Sequence, residues 1–181
     1  MIEILVGSQM GAAEYAAEQV AETLVQAGYE VRLHLTPELE QLSRNSTWLV
    51  ITSTYGAGDL PDNIQPFADQ LARDQTDLTT ISYAVITLGD SSYDTFCFAG
   101  LKMRQLLDKC QAKYLGVSLD IDVQQADLPE DTALAWLPQF TNLVAKPAWI
   151  LLKKKAGKIY PPKNTSHCPE TGYLTVWHVG S

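Results

Sequence analysis

The chain is short of cysteine, of positive charge over most of its length, and of any long hydrophobic run. Its three cysteines, Cys97, Cys110 and Cys168, are an odd number with no metal-ligand spacing. That argues against a disulfide framework and for reduced thiols in a cytoplasm. No apolar run reaches the roughly 20 residues of a membrane span. The nearest, 145–152, is interrupted by Lys146 and Pro147. The chain opens directly into a strand pattern, so no leader is expected. Residues 1–145 carry seven Lys and Arg against twenty Asp and Glu, a balance of −13. Nucleic acid needs a basic footprint, and this body has none. An acidic body serves solubility, and it also steers a positively charged protein partner. There is no internal repeat and no low-complexity tract.

What is present is ordinary globular material: 181 residues, 46% hydrophobic and 19% charged. That is enough for one domain with a sizeable core. Strand-like apolar runs alternate with helical patterns. Strands are predicted over 2–6, 29–35, 47–52, 82–88 and 112–119. Helices are predicted from Tyr15 to Ala27, from Asn63 to Arg73, after Tyr93, and from Pro129. Gly28 ends the first helix as a C′ glycine. The alternation implies an α/β domain, a parallel sheet with right-handed crossovers. His34 is expected to lie exposed on its strand. Met103 and the leucines Leu101, Leu106 and Leu107 read as core, as do Leu134, Trp136, Leu137, Phe140 and Leu143 of the last helix.

Three loops follow strands, where open α/β sheets place their ligands. The first is Ser8, Gln9, Met10, Gly11, Ala12 and Ala13, just before a helix. A helix N-terminus behind a short Gly-containing loop offers backbone N–H groups to an anion. The loop contains no Lys or Arg, so a phosphate there is held by neutral dipoles. It is neither a Walker motif nor the dinucleotide fingerprint, because Gly7 and Gly11 have the wrong spacing. The second loop has Thr52, Ser53 and Thr54 for hydroxyls, Tyr55 for a stacking face, and Gly56, Ala57 and Gly58 for close backbone approach. Asp59 and Asp62 charge its rim, and Asp62 or Asn63 reads as a helix cap. The third holds Leu88, Gly89, Asp90, Ser91, Ser92, Tyr93, Phe96 and Cys97. Two adjacent strands each ending in a Gly-containing loop with a tyrosine form two jaws for a planar ring.

Ser53, Thr54, Tyr55, Gly56, Ala57, Gly58 and Asp59, together with Leu88, Gly89, Asp90, Ser91, Ser92 and Tyr93, resemble the two flavin-ring loops of the flavodoxin family. The likeness is particularly to the short MioC/YqcA-type flavodoxins and the FMN domains of the sulfite reductase flavoprotein group. It runs from Ile2 to Val144. It implies a flavodoxin-like, doubly wound five-stranded parallel sheet of order 2-1-3-4-5, with helices on both faces. It implies FMN as cofactor. Ser8, Gln9, Met10, Gly11, Ala12 and Ala13 would lie at its phosphate. Thr54, Tyr55, Gly56, Ala57 and Gly58 would lie at its ring, as would Leu88, Gly89, Asp90, Tyr93, Phe96 and Cys97. Ser8 and Gly11 match the family's phosphate loop. Gln9, Met10, Ala12 and Ala13 depart from its hydroxyl set, so weaker FMN binding is expected. Cys97 reads as a packed thiol with no partner cysteine or base.

The implied function is electron transfer on FMN by a monomer. Electrons would come from a separate NAD(P)H-dependent reductase and go to an acceptor enzyme, both docking on the acidic surface. The alternative is an FMN-dependent NAD(P)H:quinone-type oxidoreductase, which needs an open ring face. A flavin-free response-regulator domain is excluded by Gly7 and Ser8 where acidic residues would stand. Asp120 and Asp122 lack a third metal ligand and read as a solvated strand end. Residues 1–145 are expected to form the FMN domain. Residues 146–181, with six Lys and one Glu, form a basic tail outside the resemblance. Disorder, a non-native extension, or an arm folding back on the acidic body are all compatible with it. His167, Cys168 and His178 are too few for a metal site. Asn164 opens a glycosylation pattern that a cytoplasmic chain does not use.

Overall fold

Near-continuous apolar runs such as Trp48, Leu49, Val50 and Ile51 suit strands covered on both faces, and they form the middle of a parallel sheet. In this computed structural model, residues 1–74, 76–125, 128–146 and 177–178 are described. The strands are β1 (Ile2–Gly7), β2 (Val31–His34), β3 (Thr47–Ser53), β4 (Ser82–Gly89), β5 (Lys113–Asp122) and β6 (Trp177–His178). The helices are α1 (Ala12–Gln26), α2 (Gln65–Asp74), α3 (Phe98–Lys109) and α4 (Pro129–Thr141), with one 3-10 turn at Leu39–Gln41. The sheet runs β5-β4-β3-β1-β2-β6. The expected five-strand order is therefore present. β6 adds two residues in parallel pairing with Arg32 and Leu33. The rest of the tail, with Lys153, Lys154, Lys155, Asn164, His167 and Cys168, lies outside the described residues.

Two layers of helix bury the two faces. Val20 and Leu24 of α1 and Trp136 and Phe140 of α4 pack on one side. Phe67 and Leu71 of α2 and Met103 and Leu107 of α3 pack on the other. There Phe67 lies 5.9 Å, centroid to centroid, from Trp48 of β3. Among the described residues no helix is long and apolar enough to cross a membrane.

Three expectations change. β2 is shorter than the run 29–35. His34 is fully buried, because Glu3 of β1 offers its carboxylate at 2.8 Å and the connection after β2 covers the pair. Ser43 donates its N–H to the other Glu3 oxygen at 3.2 Å, and Arg32 stands 3.8 Å from it. Leu101 and Leu143 are exposed. The first points off the outer face of α3, and the second falls beyond the last turn of α4.

Candidate functional site

The sheet order reverses between β1 and β3, since β2 returns to the far side of β1. The loops after β1, β3 and β4 therefore meet at the carboxyl edge, where a crevice opens. All three of the predicted loops lie here.

The first loop turns into α1 through Gly11, which takes a left-handed φ of 86° as the helix N-cap. Ser8 does not cap the helix itself. Its Oγ accepts the Gly11 N–H at 3.1 Å and so tightens the loop. The first intrahelical bond is donated by Tyr15 to the Gly11 carbonyl. The N–H groups of Ala12, Ala13 and Glu14 thus have no partner within the helix and form its positive end. Met10 is 88% exposed, whereas the Ala13 side chain is buried in the core. Any contact from Ala13 to an anion is therefore made by its backbone.

The second loop is a small hairpin. Tyr55 donates its N–H to Asp59 at 3.0 Å, and Asp59 donates back at 2.7 Å. Gly56 and Gly58 take φ values of 52° and 96° to close it. Among the described residues no hydrogen bond is donated to the carbonyls of Gly56 and Ala57. The Thr54 hydroxyl accepts the Ala99 N–H at 3.3 Å, tying the hairpin base to α3. Lys102 of α3 pairs with Asp59 at 2.8 Å.

The third loop is organised by carboxylates. Asp90 accepts the Ser92 N–H at 2.9 Å and its hydroxyl at 2.6 Å, and the Gln124 amide at 2.8 Å. These bonds hold its carboxyl below the usual carboxylate range, with the Ser92 hydroxyl bond the largest cause. Asp122 accepts the Ser91 N–H at 3.2 Å and is likewise lowered, chiefly by its bonding to Ser91. The strand end that reads as merely solvated is therefore an anchor for the loop. Leu88 and Cys97 are buried. Burial, the largest cause, pushes the Cys97 thiol up to about 12, which disfavours its thiolate and fits a packed thiol. Phe96 is half-buried beneath the loop, and Gly89 passes close to it.

A cleft of about 440 Å³ lies between the second and third loops, lined by Thr54, Gly56, Asp90, Tyr93 and Thr95. Tyr55 is 50% exposed and Tyr93 64% exposed. Large aromatics left in water at a concave site mark a binding surface. The volume, and the N–H groups at the start of α1 that have no partner among the described residues, suit a planar ring carrying an anion. Sequence reading missed Thr95, whose place on the cleft follows from the turn after Tyr93. It also missed Asn63, which reads as a helix cap. Its side chain instead accepts the Ser8 N–H at 2.9 Å and donates to the carbonyls of Val6 and Leu35 at 3.0 and 2.6 Å.

A family model described as Flavodoxin matches residues 4–136. A MioC homolog of Pasteurella multocida is 48% identical over 139 residues, covering 77% of this chain and 95% of the relative. Flavodoxin YqcA of Escherichia coli K12 is 34% identical over 146 residues, covering 80% and 98%. Among solved structures, a cysteine-to-alanine mutant of a flavodoxin from Pseudomonas aeruginosa aligns with a TM-score of 0.73 at 34% identity. That alignment covers 78% of this chain and 97% of the other. Together with the sheet order and the three convergent loops, these likenesses show that the chain belongs to the flavodoxin family, a family of FMN-binding electron carriers.

Proposed function

We propose that this protein binds FMN in the cleft and carries electrons from a separate NAD(P)H-dependent reductase to a separate acceptor enzyme. The observation that carries the reading is the cleft at one edge of the sheet lined by Thr54, Gly56, Asp90, Tyr93 and Thr95, with Tyr55 exposed on the same hairpin as Gly56. FMN supplies the redox chemistry when bound. The chain's part is to bind, orient and present it. The backbone N–H groups at the start of α1 hold the phosphate. Tyr55 and Tyr93 would bracket the ring, and the carbonyls of Gly56 and Ala57, which accept no hydrogen bond among the described residues, would be available to a ring N–H. Asp59, Asp62, Asp90, Asp94, Asp120 and Asp122 stand on or beside the loops at the same edge. Their negative charge makes that edge the docking face for positively charged partners and disfavours added negative charge on the ring. The protein works as a monomer in the cytoplasm, in keeping with the free, buried thiols of Cys97 and Cys110.

The test has two stages. The purified protein is titrated with FMN and read by visible absorption and flavin fluorescence. Quenched fluorescence and retained flavin after gel filtration are expected. The holoprotein is then mixed with an NAD(P)H-dependent flavoprotein reductase and cytochrome c as artificial acceptor. Reduction of cytochrome c should depend on both proteins. No binding at micromolar FMN refutes the reading. Steady NAD(P)H oxidation by the holoprotein alone would replace it with an oxidoreductase.

A further inference from the structure

Asn63 joins three backbone groups from two separate segments. Its Oδ1 accepts the Ser8 N–H at 2.9 Å, and its Nδ2 donates to the Val6 carbonyl at 3.0 Å and the Leu35 carbonyl at 2.6 Å. Val6 ends the core of β1, Leu35 follows β2, and Ser8 opens the first loop. Two carbonyls and one N–H need two donors and one acceptor. A neutral carboxamide supplies both from one side chain. A carboxylate would set negative oxygen against two carbonyl oxygens, and an alanine would leave three half-buried backbone groups without partners. One residue earlier, Gln9 donates its amide to the Asp62 carboxylate at 3.3 Å, and Asp62 donates its N–H back to Gln9 at 3.3 Å. Residues 8 and 9 are thus laced to residues 63 and 62. Gln9, which replaces a hydroxyl residue of the family pattern, is used for this lacing.

The loop's own chemistry makes the lacing matter. It has no cation and only one hydroxyl side chain, Ser8, whose Oγ already accepts the Gly11 N–H. What remains for a phosphate is backbone N–H groups, and these act together only if the loop holds them in one concave arrangement. The Ser8 N–H is not among them, because Asn63 takes it. Asn63 therefore contributes nothing to the anion directly. It fixes the residue from which the phosphate-facing loop starts.

Resting on the FMN reading above, we propose that Asn63 is the positioning residue for phosphate. It preorganises the 8–13 loop from the neighbouring ring loop, and so sets how strongly the protein prefers a phosphorylated flavin to an unphosphorylated one. A merely structural residue would weaken both ligands alike.

The test compares FMN with riboflavin on the parent apoprotein, Asn63→Ala and Asn63→Asp, by quenching of flavin fluorescence. Both variants should bind FMN about tenfold more weakly, which is about 1.4 kcal/mol. Riboflavin affinity should change by less than about threefold, a shift under 1 kcal/mol, and riboflavin binding also reports that the variants fold. Amide hydrogen exchange on the parent apoprotein is the second measurement, independent of either variant. The Ser8 amide should be protected there. Equal weakening of both flavins, unchanged FMN affinity, or a Ser8 amide exchanging like an open loop overturns the inference while leaving the FMN site intact. Failure of the parent to bind FMN overturns the FMN reading itself, and this inference with it.

Discussion

Gly58 and Gly56 both sit in the ring-loop hairpin with positive φ, yet the structure separates them sharply. Gly56 has φ 52°, inside the left-handed region, and an added Cβ would meet nothing nearer than Asp59 Oδ2 at 3.9 Å. Its replacement by alanine costs about 1–2 kcal/mol of backbone preference. Gly58 has φ 96°, and its added Cβ would lie 3.0 Å from Phe98 Cβ and 3.1 Å from Thr95 Cβ. Those atoms are fixed to backbone and cannot rotate away. Strain of about 1–3 kcal/mol then adds to overpacking of about 1–3 kcal/mol. The hairpin is closed by three backbone hydrogen bonds, each worth about 1 kcal/mol net. Gly58→Ala thus matches or exceeds what closes the hairpin, and Gly56→Ala does not. The assay is FMN affinity by fluorescence quenching, beside thermal unfolding of the apoprotein. Gly58→Ala should weaken FMN by about 30-fold or more, corresponding to about 2 kcal/mol, and Gly56→Ala by less than about tenfold. Because an exposed hairpin opens without the core, the apoprotein Tm should barely move. Gly58→Ala binding FMN as the parent does, or the two variants behaving alike, refutes the reasoning.

Tyr93→Ala should weaken FMN and riboflavin by the same factor, at least that of an aromatic pair, about 0.5–1.5 kcal/mol; selective loss of FMN would place Tyr93 at the phosphate instead. His34→Ala removes the partner that stands 2.8 Å from the buried Glu3 carboxyl and leaves it only the Ser43 N–H and the more distant Arg32, at a cost of about 1–3 kcal/mol, so Tm should fall by roughly 5 °C for a chain of this size. The double variant Glu3→Leu/His34→Leu should regain most of that fall, and one as unstable as the single variant would refute this account of the buried pair. Asp90 and Asp122 have lowered carboxyl pKa values in the fold. Their bonds to Ser91 and Ser92 are therefore fully present above the ordinary carboxylate value of about 3.9 and fail as pH falls through the lowered ones. The Ser91 and Ser92 amide signals of the ligand-free protein should titrate below about pH 4, and a midpoint near pH 6 would refute the assignment.

The sheet was legible because its signals are local. Apolar runs of five to eight residues and the Gly28 stop need no knowledge of neighbours, and the order 2-1-3-4-5 follows from the family likeness. That the stretches after β3 and β4 are loops was legible for a related reason: glycines and polar residues straight after apolar runs end strands locally. What escaped is what depends on segments distant in sequence. His34 reads as solvent-facing until Glu3, 31 residues earlier, is set opposite it. Asp122 reads as a solvated strand end until the loop after the neighbouring strand brings Ser91 to it, 31 residues away in sequence. Asn63 reads as a cap because its type and place before a helix fit that role, and nothing local shows that its partners lie 55, 57 and 28 residues away.

These hidden contacts share a direction. Asn63 secures the first loop from the second, Thr54 ties the second to α3, and Asp122 with Gln124 secures the third from the end of β5. No loop of the cleft is held only by its own residues. The aromatic faces that would meet the ring are meanwhile left exposed and unsupported. The base of the cleft and the loops that carry its aromatic walls are thus built before a ligand arrives, while the tyrosine rings themselves stand in water. A ligand would therefore meet little ordering penalty at the phosphate loop and a larger one at the tyrosines. Phosphate affinity should accordingly follow the lacing residues, and ring affinity the tyrosines and the glycine hairpin that carries one of them.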